Sequence, residues 1–388
     1  MIQSLSSSCF SSTVHLQPER GALTSLRRMK RNRIILNGDK KNIIFTGFSD
    51  HKILDPNKSF GNSCDKRIAH RIGATSDGEF VLQPKDDIKK MLTAIYNFSR
   101  PYTFIGIIIA ISSVSLLPFT SLRDLSPALF VGFFQSLIPF LFLKIYVAGI
   151  NQVFDVEVDK INKPYLPLVS GELSMGQGKA IVWASGFMCL AVAVMFKSPP
   201  LFFGNLTPFL LGTAYSADLP YLRWKTKPTL AALSIAALYG LSVNLGVFCH
   251  MQKYVLGRPL VLTKSLGFTV TFFTLFSVVI ALSKDIPDVR GDLAFGNPTF
   301  SVKYGRKKVF SVCLAILLTA YGSGIVIGAS SSFLICKLVS VIGHSTLASV
   351  LLLRANSLDL DDDEATQSFY MFIWKLFYVE YALIHFIR

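Results

Sequence analysis

Residues 151–159 read Asn-Gln-Val-Phe-Asp-Val-Glu-Val-Asp and end a long apolar run of the chain. Asn151, Asp155 and Asp159 are spaced four residues apart, so on a helix they drift by only about 80° and face the same way. Two carboxylates and an amide on one face form an oxygen-ligand set that suits a hard divalent cation, and Mg²⁺ usually takes phosphate oxygens as further ligands. The stretch therefore predicts a helix whose end carries a metal-binding face.

A second acidic stretch, residues 284–292, ends another apolar run and reads Lys-Asp-Ile-Pro-Asp-Val-Arg-Gly-Asp. On a regular helix its three aspartates, Asp285, Asp288 and Asp292, would lie within an arc of about 60°. Pro287 and Gly291 instead favour an irregular turn. This stretch predicts a second group of carboxylates, held on a less regular backbone.

The composition predicts an all-α protein of the membrane. Of 388 residues, 51% are hydrophobic and only 16% are charged, whereas soluble domains have about a quarter charged residues. The apolar runs reach the length of roughly 20 residues that a membrane-spanning helix needs. We count about nine spans, near 102–119, 127–149, 178–197, 201–217, 229–248, 265–283, 308–328, 331–353 and 368–387.

The order of the spans places both acidic stretches on one side of the membrane. The loops after spans two, four, six and eight lie on the same side, and most loop lysines and arginines are found there. By the positive-inside rule this side faces the stroma, matrix or cytosol. The net charge of +15 is therefore explained by topology and by a basic leader, and we expect no nucleic-acid partner.

Residues 1–80 have the composition of a leader and not of a folded domain. They are rich in serine and arginine, and no acidic residue precedes Glu19. This is typical of an organellar transit peptide, and a disordered cytosolic tail is the alternative. Residues 81–388 then form the membrane domain, which we expect to open with an amphipathic helix from Pro84 lying on the membrane surface.

Basic residues at the ends of the spans allow two interpretations. Arg100, and also Arg223 and Lys225 on either side of a tryptophan, are ordinary interfacial anchors by one interpretation. By the other they hold a diphosphate, with Arg223 as a bidentate fork and Lys225 as a point charge. The acidic run at residues 359–364 lacks helical spacing, and it is interpreted as a solvated loop.

The acidic stretches also indicate a reaction. Two like charges about 4 Å apart repel by about 4 kcal/mol at an effective dielectric near 20, so the clusters need cations between them. Two Mg²⁺ ions with a diphosphate satisfy this need, and an apolar protein that holds a diphosphate favours an isoprenoid diphosphate as ligand. Loss of diphosphate leaves an allylic cation, for which an aromatic ring is the natural acceptor, and the helices exclude the water that would quench it.

Five segments resemble the UbiA superfamily of intramembrane prenyltransferases, and more narrowly the plant plastid aromatic prenyltransferases related to homogentisate phytyltransferase. They occur in the family's order from about residue 85 to the C-terminus. They are residues 98–101 (FSRP), 151–164 (NQVFDVEVDKINKP), 219–225 (LPYLRWK), 284–292 (KDIPDVRGD) and 368–375 (SFYMFIWK).

The resemblance implies a bundle of nine transmembrane helices around a central cavity, in a multi-pass plastid membrane protein. It implies Mg²⁺-dependent transfer of a prenyl group from a prenyl diphosphate to an aromatic carbon, with four catalytic aspartates: Asp155, Asp159, Asp288 and Asp292. One Mg²⁺ would be held by Asn151, Asp155 and Asp159, and the other by Asp288 and Asp292 with support from Asp285. The diphosphate would be held by Arg100, Lys163, Arg223, Lys225 and Lys284.

The identity of the acceptor depends on finer differences. Residues 237–244 (ALYGLSVN) depart from the homogentisate pattern, which has an arginine there. This favours a phenolic acceptor such as a flavonoid, coumarin or phenylpropanoid, with dimethylallyl or geranyl diphosphate as donor. Homogentisate phytyl transfer is the alternative, and a membrane transporter is a distant one.

Overall fold

The computed structural model describes residues 84–388, and over this range the chain is helical without strands. The predicted leader lies outside the described residues. The helices are α1 Pro84–Phe98, α2 Pro101–Leu116, α3 Pro127–Asn162, α4 Pro167–Ser170, α5 Met175–Met195, α6 Pro199–Ser216, α7 Pro228–Val255, α8 Lys264–Ser283, α9 Val289–Ala294, α10 Phe300–Tyr304, α11 Arg306–Ala329, α12 Leu334–Asn356 and α13 Asp363–Leu383.

Prolines and polar caps set where these helices begin. Six of them start at a proline, which lacks the N–H group that would be unpaired at the first helical position. Helix α5 starts with a capping box, in which Ser174 Oγ accepts from the Gln177 N–H and Gln177 Oε1 accepts from the Ser174 N–H. The local sequence thus favours these helix starts.

Each predicted span falls on a long helix, and the all-α membrane class is confirmed. The count of nine is not. Among the described residues six helices are long and apolar enough to cross a membrane, and α1 with α2, bent by 69°, makes a seventh. Helices α6 and α13 are not among them. Three prolines and Asn205 make α6 less apolar, and α13 carries four charged residues.

Helix α1 has the character expected of a surface helix. Ile88, Met91, Leu92 and Tyr96 are exposed, whereas Phe98 at its end is fully buried. Exposed apolar side chains on a helix that precedes the first span suit contact with the lipid interface.

Helix α3 organises one half of the bundle. It runs for 36 residues from the apolar span through the first acidic stretch, and it packs against α2, α5 and α6. Helices α6 and α7 approach closely at Gly204 and Gly246, where a Cβ on Gly204 would lie 3.2 Å from the Gly246 Cα. Small residues of this kind let two membrane helices come into contact.

Helices α8, α11 and α13 build the other half around aromatic side chains. Phe273 stacks on Tyr381 with ring centroids 3.7 Å apart, and Phe377 packs edge-on against Phe273 at 5.0 Å. All three rings are buried. Between the two halves lies a cavity that both acidic stretches line.

Candidate active site

The cavity lies between helices α2, α3, α6, α7, α8 and α13 and the loops that follow α6 and α8. All six residues that the sequence predicted as metal ligands line it, together with four of the five predicted diphosphate ligands. The lining set comprises Asn151, Asp155, Asp159, Asp285, Asp288, Asp292, Arg100, Lys163, Lys225 and Lys284. The two acidic stretches therefore meet at one cavity, although about 130 residues separate them.

Helix α3 presents one continuous stripe to the cavity. The residues of this stripe are Lys144, Val147, Ala148, Asn151, Asp155, Val158, Asp159 and Asn162. Their spacing of three and four residues is that of a single helix face. Asp155 and Asp159 are buried, at 7% and 5% exposure, and Asp159 Oδ2 has no hydrogen-bond partner within the described part of the chain. A buried carboxylate oxygen without a donor is a suitable ligand atom for a cation.

The second acidic stretch is irregular, as its proline predicts, and it is held against the end of α3. The Gly291 N–H donates to Asn162 Oδ1 at 3.1 Å, and Lys163 pairs with Asp288. Asn297 Nδ2 donates to Asp292 Oδ1 at 3.3 Å. A Cβ on residue 291 would lie only 2.2 Å from Asn162 Oδ1, so this approach requires glycine.

Basic side chains pair with several of the polar residues that line the cavity. Arg100 Nη2 donates to Asn151 Oδ1 at 2.9 Å, Lys225 pairs with Asp155, and Lys284 pairs with Asp285 at 2.5 Å. Each cation occupies a carboxylate or amide that a metal ion would use. Accordingly, residues 84–388 contain no group of three or more acidic, His or Cys side chains arranged to hold one metal ion.

Burial shifts the ionisation of the groups in the loops at the mouth of the cavity. It raises the pKa of Asp292 to about 6, with a further contribution from Asp285. Burial also raises the pKa of Asp285, although Lys284 opposes this. Burial and the nearby Lys284 lower the pKa of Lys225 to about 8. Burial removes water from these groups and so disfavours their charged forms. A ligand of opposite charge would restore the charged forms.

Two sequence predictions differ from the structure at the edge of the site. Arg223 does not line the cavity, because its guanidinium pairs with Asp218 at 2.8 Å. The acidic run is not simply a solvated loop, since Asp363 at the start of α13 pairs with Arg306 at 2.5 Å and Arg290 at 3.0 Å. This carboxylate ties α13 to α11 and to the loop that carries the second acidic stretch.

The inner wall of the cavity is aromatic. Tyr102, Tyr239, Tyr370 and Trp374 all line it. The Trp374 ring packs edge-on against Tyr102 and Tyr239, in each case with centroids 5.6 Å apart. These contacts fix the orientation of the rings. The face of an aromatic ring attracts a cation placed over it.

Lys144 and Tyr239 also line the cavity, and the sequence predicted neither of them as a site residue. Lys144 stands seven residues before Asn151, about 20° away around the helix, so the repeat that groups the acidic residues also includes it. A lone lysine inside an apolar run does not by itself indicate a site. Tyr239 lies in a π-helical stretch of α7, Ala237–Ser242, and Asn244 Nδ2 bonds the carbonyls of Tyr239 and Gly240. The sequence predicts that this segment departs from the homogentisate pattern.

Comparison with known proteins gives the same assignment over most of the chain. The model of the UbiA prenyltransferase family matches residues 92–376. Coumarin 8-geranyltransferase 1 of Citrus limon is 46% identical over 351 residues, covering 88% of this chain and 86% of the lemon protein. Homogentisate phytyltransferase 1 of Arabidopsis thaliana is 47% identical over 297 residues, covering 76% of each chain.

The fold also resembles a solved structure. A UbiA homolog from Archaeoglobus fulgidus bound to GPP and Mg²⁺ superposes with a TM-score of 0.51, covering 75% of this chain and 99% of that protein. At 16% identity this similarity concerns the fold alone.

Proposed function

The chain belongs to the UbiA prenyltransferase family, and we propose that it transfers a dimethylallyl or geranyl group from its diphosphate to an aromatic carbon of a plant phenolic. It is thus an enzyme, and the transporter alternative falls away. The observation that supports the proposal is the cavity lined by both acidic stretches, which combines a charged mouth with an aromatic inner wall.

The carboxylates at the mouth would hold Mg²⁺. Asn151, Asp155 and Asp159 offer oxygens from one face of α3, and Asp288 and Asp292 offer oxygens from the opposite wall, with Asp285 beside them. The donor set fits the ion, because Mg²⁺ is satisfied by a few carboxylates with phosphate oxygens and water. Bound Mg²⁺ would neutralise negative charge that develops on the leaving diphosphate.

The basic residues at the mouth would hold the diphosphate itself. Lys163, Lys225 and Lys284 are each paired with an aspartate, and these pairs can be exchanged for phosphate oxygens when the aspartates take metal. Arg100 is suited to a planar hydrogen-bonded contact with phosphate, and its buried Nε has no partner among residues 84–388. Arg223 is not included, because it pairs with Asp218 outside the cavity.

The aromatic wall would serve the transfer. As the allylic C–O bond breaks, its electron pair leaves with the diphosphate and positive charge develops on the prenyl carbon. Rings such as Trp374 and Tyr102 stabilise this charge through their faces, and a dry cavity prevents capture by water. An aromatic carbon of the acceptor then forms the new C–C bond, and its ring proton is lost to an aspartate or to the diphosphate.

The comparisons favour a phenolic acceptor without deciding which one. The lemon coumarin 8-geranyltransferase matches over a larger share of this chain than the Arabidopsis homogentisate phytyltransferase does. Their identities of 46% and 47% are nearly equal, and this equality keeps homogentisate as the second candidate acceptor. Both relatives are named as chloroplastic, which supports a multi-pass location in a plastid membrane for this chain.

An acceptor and donor panel tests the proposal. Membranes that contain the full chain are offered dimethylallyl, geranyl or phytyl diphosphate with a coumarin, a flavonoid, a phenolic acid or homogentisate. We expect prenylated product and diphosphate in equal amounts, with a short donor and a coumarin, flavonoid or phenolic acid.

Metal removal supplies the control for this panel. EDTA is expected to stop both products, and added Mg²⁺ is expected to restore them. Faster turnover of homogentisate with phytyl diphosphate would favour the second candidate. Absence of diphosphate release with every pair would overturn the proposed function.

A further inference from the structure

Lys144 is a basic residue buried within the membrane-spanning part of α3. Its side chain is only 4% exposed, and it lines the cavity. It precedes Asp155 by eleven residues, which places it about 16 Å along the helix axis from the charged mouth. A charge at this depth is costly, and within a membrane helix it usually marks a functional site.

The contacts of Lys144 do not neutralise it. Its Nζ donates to the Tyr239 hydroxyl at 2.5 Å and lies 4.8 Å from the centroid of that ring. The ion pairs formed within residues 84–388 do not include Lys144. A buried ammonium with only neutral partners gains most from a ligand that brings negative charge.

The surroundings of this pair fit an aromatic ligand. Tyr239 packs edge-on against Trp374, which also packs against Tyr102. Lys144 and Tyr239 therefore lie beside the aromatic inner wall of the cavity. An apolar prenyl tail would leave the ammonium without compensation. An aromatic ligand with an anionic oxygen would meet both requirements, because its oxygen would compensate the charge of Nζ and its ring would pack against the aromatic side chains.

We propose that Lys144 and Tyr239 form the acceptor subsite, and that the acceptor is a phenolic that carries an anionic oxygen, either a carboxylate or an ionised hydroxyl. This inference rests on the proposed function. Nζ of Lys144 donates a charge-assisted hydrogen bond to that oxygen, and the Tyr239 hydroxyl donates a second one. The negative charge also offsets the ammonium, which would otherwise repel the allylic cation formed in the same cavity.

The test compares acceptors in matched pairs, using the full chain in membranes. One pair is 4-coumaric acid and its methyl ester, and the other is 7-hydroxycoumarin and its 7-methyl ether. In the wild-type enzyme we expect the anionic or ionisable member of at least one pair to have a KM about 10- to 100-fold lower. The pair that shows the difference identifies the oxygen as carboxylate or hydroxyl.

The variant Lys144→Met should remove this discrimination and leave the KM for the prenyl diphosphate within about threefold of wild type. Lys375→Met is the matched control, because Lys375 is an exposed lysine on α13 beside Trp374, and it should keep the discrimination. Should Lys144→Met give no turnover, Lys144→Arg is expected to keep the discrimination and Lys144→Gln to lose it.

The inference is overturned if Lys144→Met shifts KM equally for both members of every pair, or if it acts on the donor KM instead. It is also overturned if the wild-type enzyme prenylates phenolics without distinguishing the members of either pair. A wild-type enzyme that releases no diphosphate with any phenolic contradicts the proposed function itself, so the two failures are distinguishable.

Discussion

The two acidic stretches line the same cavity, but their carboxylates are positioned in different ways. Asp155 and Asp159 project from an uninterrupted helix of 36 residues, where the helical repeat alone puts them on one face. Asp288 and Asp292 lie in a turn and a helix of only six residues. Their position depends on contacts with the end of α3.

This difference separates local from tertiary control of the site. A substitution in the first stretch removes a proposed Mg²⁺ ligand and leaves the backbone of α3 in place. A substitution that disturbs the docking of the second stretch moves several proposed ligands together without removing any. The expected effects therefore differ in kind, and they can be measured separately as activity, metal affinity and stability.

The largest effect is expected from Asp159→Asn. The change removes a carboxylate whose Oδ2 is buried with no donor among residues 84–388, and with it one negative charge of the proposed Mg²⁺ site. We expect kcat to fall by about 10²–10³-fold, the range found when a single electrostatic contact to the transition state is removed. Product formation at saturating Mg²⁺ and donor is the measurement.

The matched control is Glu157→Gln on the same helix. Glu157 is exposed and pairs with Lys160 at 2.7 Å, so its loss should leave kcat within about twofold, as exposed ion pairs contribute little. If the two variants had equal activity, the face of α3 defined by residues 151, 155 and 159 would not be the metal-binding face.

A smaller effect is expected from Gly291→Ala. The added Cβ would lie 2.2 Å from Asn162 Oδ1, so either the Asn162 side chain turns away and loses its bond to the Gly291 N–H, or the second stretch moves away from α3. Overpacking of this kind costs about 1–3 kcal/mol, and we expect both a lower unfolding temperature and a weaker apparent affinity for Mg²⁺. Unfolding of the protein in detergent and Mg²⁺ titration of activity are the two measurements.

Gly267→Ala is the control for this variant. Gly267 lies within α8, and a Cβ there would meet nothing within 4 Å. Alanine is favoured over glycine inside a helix by about 1 kcal/mol, so stability should stay level or rise. A Gly291→Ala protein that behaves like Gly267→Ala would show that close docking of the second stretch on α3 is not needed.

The first stretch shows how much a sequence can predict. The four-residue spacing from Asn151 to Asp159 fixes a face on any helix, and the apolar run before it predicts that helix. The irregular backbone at the second stretch follows from Pro287. Its partners could not be predicted, because Asn162 and Asn297 contact it only after the chain has folded.

Other parts of the site needed the structure for similar reasons. Arg223 has a neighbouring aspartate, Asp218, and no helical spacing indicates that the two pair outside the cavity. Lys144 could have been predicted from the sequence, because it shares the helical repeat of the first stretch. Its partner Tyr239 could not, because it lies in a π-helical stretch. A π-helical turn holds an extra residue and so changes which residues share a helix face. Such turns follow no simple sequence pattern.

A still smaller effect is expected from Asn162→Ala, which tests one hydrogen bond between α3 and the second stretch. The change removes the oxygen that accepts the Gly291 N–H at 3.1 Å, and such a bond contributes about 1 kcal/mol. We expect a severalfold weaker apparent affinity for Mg²⁺ with kcat little changed. Asn162→Asp keeps an acceptor oxygen and should recover most of the affinity. Equal losses in both variants would mean that this bond does not position the second stretch.

The smallest effect on activity is expected from Asp124, a carboxylate that holds only protein donors. Asp124 lies in the loop between α2 and α3. It accepts from the Thr120 N–H of the same loop at 2.8 Å and from Arg258, which follows α7, at 2.5 Å. These bonds, led by that from Thr120, lower its pKa from 3.8 to about 2. A lowered pKa means that the charged form stabilises the fold above pH 4 and that this contribution is lost as the pH falls through 2.

Asp124→Asn should therefore lower the unfolding temperature at pH 7, and the difference from wild type should shrink as the pH falls from 4 towards 2. Neither EDTA nor Mg²⁺ should alter that difference, and kcat should stay at the wild-type value. A dependence on Mg²⁺ would place Asp124 with the two acidic stretches. Independence would show that a carboxylate bonded to protein donors contributes stability and not metal binding. The aspartates at the cavity mouth would differ from it, because their lysine partners can be exchanged for a ligand.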